Sequence, residues 1–282
     1  MSLVTIRNDC LTAVISTLGA ELQSLRDSNG IERLWQGDPQ FWTGHAPILF
    51  PVAGGFRDDV YELDGKRYPM PKHGFVRKLE WHVQSVESNA VTFLMDQTHE
   101  GFPFAYRLRA RFALVDSTLS ITYEVANRDH RAFYFSVGSH EAYATPEGIE
   151  AYSIVFDEEE RLENYELNGN LIGRTSILLA EHTRELPLLY QHFSVDALVF
   201  RTLKSRGVTL CSKLHNRRIR VDFPEHDVLM FWTKPNANYI CIEPWCNAPD
   251  FIDADFRIDQ KPGFIRLAPA GLCKRRHIIT IQ

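Results

Sequence analysis

A chain of 282 residues with 44% hydrophobic and 12% aromatic side chains can bury a sizeable core. Its 31 basic residues against 36 acidic leave a net charge of −5, so no basic field is present to hold a nucleic-acid backbone. Cys10, Cys211, Cys241, Cys246 and Cys273 are scattered and contain no C-x-x-C pair; they predict reduced thiols and a cytoplasmic setting rather than a disulfide framework.

At the N-terminus, Arg7, Asn8 and Asp9 break the apolar run of "MSLVTIRNDCLTAV". Neither a signal peptide nor a membrane span is expected there, and no later segment offers one. Buried-looking "ILFPV" then leads into Gly54, Gly55 and Arg57. The two glycines let the backbone approach something closely, although Arg57 alone reads more readily as a solvated side chain after a tight turn. "YELDGKRY" is a predicted hairpin about Asp64 and Gly65. In "PMPKHGFVRKLEW", His73 sits beside Gly74 on a proline-punctuated bend. It is either a solvent-facing loop histidine or a donor held by a rigid frame.

Strict alternation follows. "YRLRARFAL" sends Tyr106, Leu108, Ala110, Phe112 and Leu114 to one face and Arg107, Arg109 and Arg111 to the other, and "LSITYEV" repeats the period. The short "VDST" between them makes this a second hairpin. "FYFSV" reads as a buried strand, and His140 follows it in "SVGSHEAY". "DEEER" at Asp157–Arg161 reads as a solvated loop or strand end, and Thr175–Glu185 is the best candidate for a short helix. Asp196 interrupts the apolar run of "HFSVDALVF", and "IRVDF" alternates again. Last comes "NYICIEPWCNAPD", where Glu243 breaks an apolar strand that Pro244 is expected to stop. A carboxylate there is costly unless it is paired or kept protonated. A structural glutamate bonded to an arginine is the competing reading.

Many short strands with turn signals between them predict an all-β protein, a large antiparallel β-sandwich, and no linker or repeat divides residues 1–282 into more than one domain. No H-x-H, H-E-x-x-H or close Cys/His set is present, so no metal is expected, and no nucleophile elbow or phosphate-binding glycine loop appears. What remains is a histidine–carboxylate set with an arginine and aromatics, which suits proton transfer on a polyhydroxylated small molecule.

The ordered stretches "PILFPVAGGFRDDVYELDGKRYPMPKHGF", "SVGSHEAY", "SVDALVF" and "CIEPW" resemble the aldose 1-epimerase (galactose mutarotase-like) family, and most its LacX-like bacterial branch. The resemblance implies a large antiparallel β-sandwich and a sugar substrate, with no metal or organic cofactor. By motif it makes Glu243 the general base and His140 the acid. It makes His73 a ligand to the ring oxygen or a hydroxyl, and puts Asp196 and Arg57 on sugar hydroxyls. Trp245, two residues beyond Glu243, is the aromatic expected to pack on the sugar. "GSHEAY" departs from the family's histidine–aromatic–phenylalanine pattern, and the fuller arginine and asparagine set of typical galactose mutarotases is missing. With Arg57 as the one cation assigned to the cleft, a neutral hexose is the expected substrate. A sugar-phosphate epimerase using Lys72 and Arg77 stays open, as does a sugar-binding protein without turnover.

Overall fold

The computed structural model describes residues 1–282, and antiparallel strands dominate it. The largest sheet has nine strands, in the spatial order Leu171–Pro187, Tyr152–Asn168, Gly207–Ser212, Arg218–Asp222, Leu272–Ile281, Thr118–Asn127, Tyr106–Val115, Ala90–Met95 and His82–Val86. A four-stranded sheet runs in the order Glu141–Ala144, Tyr239–Trp245, Val228–Trp232 and Leu198–Phe200. Smaller sheets include the N-terminal strands Leu3–Arg7, Leu11–Ser16 and Leu22–Asp27. Helical structure is limited to short 3₁₀ turns, and no helix is long and apolar enough to cross a membrane.

Alternation explains how the two large sheets face each other. Leu229, Phe231, Ile240 and Ile242 of the four-stranded sheet join the same buried core as Ile154, Phe156, Val208 and Leu210 of the nine-stranded one. Phe156 meets Phe231 edge-on across the layers at 6.4 Å between ring centroids. Burying each such side chain is worth about 1.5–3 kcal/mol, so this apolar layer holds the sandwich together far more than its surface ion pairs do. The period of two also sends Met230, Trp232, Cys241, Glu243 and Trp245 to the opposite face of the small sheet, away from the shared core. That outer face is where the cleft forms.

Both predicted hairpins are present. Tyr106–Val115 pairs with Thr118–Asn127, and buried residues alternate along each strand. Val60–Leu63 pairs with Lys66–Pro69 around Asp64 and Gly65, whose φ values of 52° and 73° give the left-handed pair of a type I′ turn.

Three local expectations are corrected. Thr175–Glu185 is not a helix but part of the strand Leu171–Pro187, which pairs with Tyr152–Asn168 through several register shifts. Ladder pairing along this strand satisfies backbone groups that a short, weakly amphipathic helix would leave exposed. The "DEEER" run lies inside the partner strand, where Glu160 is buried and accepts backbone N–H bonds from Lys204 and Ser205. Pro244 does not stop its strand: Leu229 lies opposite it, its carbonyl accepts from Ser139 N–H, and pairing continues to Trp245. Proline removes a donor from a ladder but keeps an acceptor, and here the acceptor is used.

Candidate active site

Glu243 sits in the middle of a strand in which every residue is buried, and is itself 1% exposed. Ser139 N–H to the Pro244 carbonyl, together with pairing of Gly138 with Trp245, locks the segment before His140 alongside it. This brings His140 Nε2 to 3.3 Å from Glu243 Oε2. Trp42 and Trp232 flank the His140 ring, with centroids at 5.0 and 5.7 Å.

His73 closes another wall. Its φ is +67°, a conformation few side chains adopt, and Gly74 beside it also has a φ of +67°. A Cβ on Gly74 would meet the Phe50 carbonyl oxygen at 2.0 Å, so only glycine fits this crossing. The turn is held twice by Gly54: His73 N–H donates to its carbonyl at 2.8 Å, and His73 Nδ1 accepts its N–H at 3.0 Å. With Nδ1 accepting, the neutral ring carries its proton on Nε2. His73 thus offers a donor from a fixed frame, and its ring lies 5.8 Å from that of His140 and 5.4 Å from that of Trp245.

These side chains line one cleft of about 250 Å³. Asp196 enters from the segment before Leu198–Phe200 rather than from within the strand, its Oδ1 accepting Ala197 N–H at 2.8 Å. Trp245 lines the cleft while its Nε1–H donates to the Ser139 carbonyl at 3.0 Å. Asn170, on the turn between the two 17-residue strands, also reaches it. "NGN" at Asn168–Asn170 carries the turn chemistry that could have flagged that approach. Tyr143 is fully buried and takes no part in the lining.

Arg57 is the site residue that the structure moves elsewhere. Its guanidinium lies over the Phe256 ring at 4.0 Å and its backbone N–H donates to Asp250 Oδ2, outside the cleft. Arg57 opens a tight turn that continues through Asp58 and Asp59, both at positive φ. The cations that do line the cleft are Lys72 and Arg77, on either side of His73 in sequence. The expectation of a neutral sugar, resting on Arg57, loses its premise.

Burial sets the electrostatics. It pushes His140 down to about 3, with Lys72 and Arg77 adding to the effect. His73 is held well below the ordinary histidine value by burial first, then by His140, Lys72 and Arg77. The same burial holds the Glu243 carboxyl well above the ordinary carboxylate range; Glu141 and Asp196 push the same way and Lys72 opposes them. Burial thus favours the neutral form of both partners, an imidazole beside a protonated carboxyl. Cys241, on the same strand face, brings its sulfur within 4.8 Å of ligand atoms of His140 and Glu243, a grouping the sequence spacing did not predict. Burial, with Glu243 and Glu141, holds its thiol well above its ordinary value.

The chain matches the family model for aldose 1-epimerase over residues 2–269. It is 32% identical to the chromosomal protein LacX of Lactococcus lactis subsp. lactis over an alignment of 297, covering 99% of both chains. Among solved structures it is similar to a galactose mutarotase-like protein from Lactobacillus casei (29% identity, TM-score 0.93, all of both chains). A galactose mutarotase related enzyme from Lactobacillus acidophilus is similar too (27% identity, TM-score 0.92, 100% of this chain and 97% of that one). A sandwich built this way, matched along nearly its whole length, places the chain in the aldose 1-epimerase family.

Proposed function

We propose that the protein is an aldose 1-epimerase that interconverts the α and β anomers of an aldohexose by acid–base ring opening. The observation that carries this reading is the contact between His140 Nε2 and Glu243 Oε2 at 3.3 Å inside the cleft. Such a pair holds one proton that can travel through a sugar. With the proton on His140, carboxylate Glu243 takes the proton of the anomeric hydroxyl. The C1–O5 bond breaks, C1=O1 forms, and O5 receives the proton of His140. The pair is then neutral, the charge state that burial favours, and the open-chain aldehyde rotates about C1–C2. Closure on the other face returns both protons. Acid–base assistance of this kind contributes about a hundred- to ten-thousandfold. His73 Nε2–H and Asp196 would hold ring or hydroxyl oxygens, and Trp245 would pack on the ring. The reading takes the chain as one domain working on a small sugar, with no cofactor. Exchange NMR on free aldoses tests it: added protein should speed anomer exchange, and EDTA should leave that rate unchanged. No acceleration with any aldose, or loss to the chelator restored by zinc, would overturn it.

The pH profile follows from the directions of the shifts. An ordinary glutamate and histidine would share one proton between about pH 4.5 and 6.5. Here the lower limit becomes His140's value of about 3, and the upper limit is Glu243's raised one. Below the first, both groups are protonated and nothing accepts; above the second, nothing donates. kcat/KM should therefore stay flat through pH 5 on the acid side. His73 and His226, buried and held well below the ordinary value, lower stability as pH falls beneath about 6.5, because the unfolded chain then binds protons that the folded one refuses. Circular dichroism at each pH separates the two effects. An acid limb centred between pH 5 and 6 in folded protein would contradict the shared-proton account.

A further inference from the structure

Lys72 and Arg77 have no role in the chemistry above, and a neutral sugar does not call for them. Both line the cleft, and neither comes within ion-pair distance of a carboxylate. Arg77 donates one hydrogen bond, at 3.3 Å to the Lys72 carbonyl, and its Nε is buried without a protein partner. Glu21 acts on Arg77 from beyond ion-pair distance, and its Oε1 already accepts the His45 and Ala46 N–H groups. Asp196 and Glu243 are the acids of the lining, and burial favours the protonated form of Glu243. The lining thus sets two cationic side chains against the Asp196 carboxyl and a Glu243 whose charge burial opposes.

Resting on the epimerase reading, we infer that the preferred substrate is an aldohexose carrying a phosphate monoester at C6, bound by Lys72 and Arg77. The position follows from sugar geometry. C6 is attached to C5, the carbon bonded to the ring oxygen, so a sugar whose O5 faces His140 holds its C6 substituent a few ångström away. Lys72 adjoins His73 in sequence, Arg77 donates to the Lys72 carbonyl, and all three line the cleft with His140, whose ring lies 5.8 Å from that of His73. A phosphate monoester brings about −1.5 to −2 charges and three acceptor oxygens. Arginine and lysine supply charge-assisted donors to match.

The test compares galactose and glucose with their 6-phosphates and with the corresponding uronates, by exchange NMR after subtraction of the protein-free rate. We expect kcat/KM for a 6-phosphate to exceed that of its parent hexose by about tenfold or more. Lys72→Met and Arg77→Met, each with an unchanged melting temperature, should each reduce that ratio about threefold or more, and ~0.5 M salt should shrink it in the parent. Equal rates for hexose and 6-phosphate, or ratios unmoved in both variants, would overturn the inference. A preference for the uronate over the phosphate would overturn it as well. Calorimetric titration of the same sugars keeps the two readings apart. If no aldose exchanges faster, the epimerase reading fails, and tighter binding of the 6-phosphate than of the hexose still decides for or against the anion site.

Discussion

Glu243→Gln should leave the protein folded and cut catalysed anomer exchange by at least about a hundredfold, equivalent to about 2.7 kcal/mol of lost transition-state stabilisation. The amide keeps the shape of the carboxyl and one acceptor, and it cannot take a proton from the anomeric hydroxyl. Stability supplies the second readout. A carboxylate held for structure would have arginine or backbone donors around it, as Glu160 has from Lys204 and Ser205. Glu243 is 1% exposed and its ion-pair contact is His140 at 3.3 Å. Burying a group so poorly satisfied destabilises the fold, a cost accepted at sites where the group does chemistry. The glutamine variant should therefore melt at the same temperature or higher. An exchange rate within a fewfold of the parent, or a lower melting temperature with proportional loss of activity, would return Glu243 to a structural role.

The β architecture was legible because its signals are local. Alternation from Tyr106 to Val125 and the Asp64–Gly65 turn are set by neighbours in sequence, and both survive in the folded chain. Thr175–Glu185 was misread because its conformation depends on pairing with the strand Tyr152–Asn168, which no propensity at that position reports. The site divided on the same line. Glu243 stands out through its apolar surroundings, His140 was matched by motif, and strand pairing brings them together. Arg57 was matched by motif, and its guanidinium is taken up by Phe256, a partner about two hundred residues away that the sequence did not disclose. Lys72 and Arg77 were visible as charges near His73, but whether they faced water or the cleft was decided by the turn that Gly54 and Gly74 fix. Cys241 shares a strand face with Glu243 by the period of two, and strand pairing adds His140 to them.

His140→Asn should reduce kcat by about a hundredfold or more with a small change in KM, whereas His73→Asn should act mainly on KM. The two rings lie 5.8 Å apart and both are held below the ordinary histidine value, so proximity and titration do not distinguish them. Hydrogen bonding does. His73 Nδ1 accepts the Gly54 N–H at 3.0 Å, which commits its one proton to Nε2 and makes the ring a fixed hydrogen-bond donor. His140 instead meets the Glu243 carboxyl through Nε2, so its proton can be exchanged with the group that must act in concert with it. Asparagine at 140 keeps a polar group against Trp42 but has no proton to give to a ring oxygen. At 73 the same change is mild. Asparagine tolerates the left-handed backbone that His73 adopts at a φ of +67°, and its amide can still donate into the cleft. Single-turnover exchange and a separate binding titration resolve the two contributions. Abolished turnover with unchanged affinity in His73→Asn, alongside near-parental turnover in His140→Asn, would require the two roles to be exchanged. The proton would then reach the ring oxygen from the histidine held by Gly54.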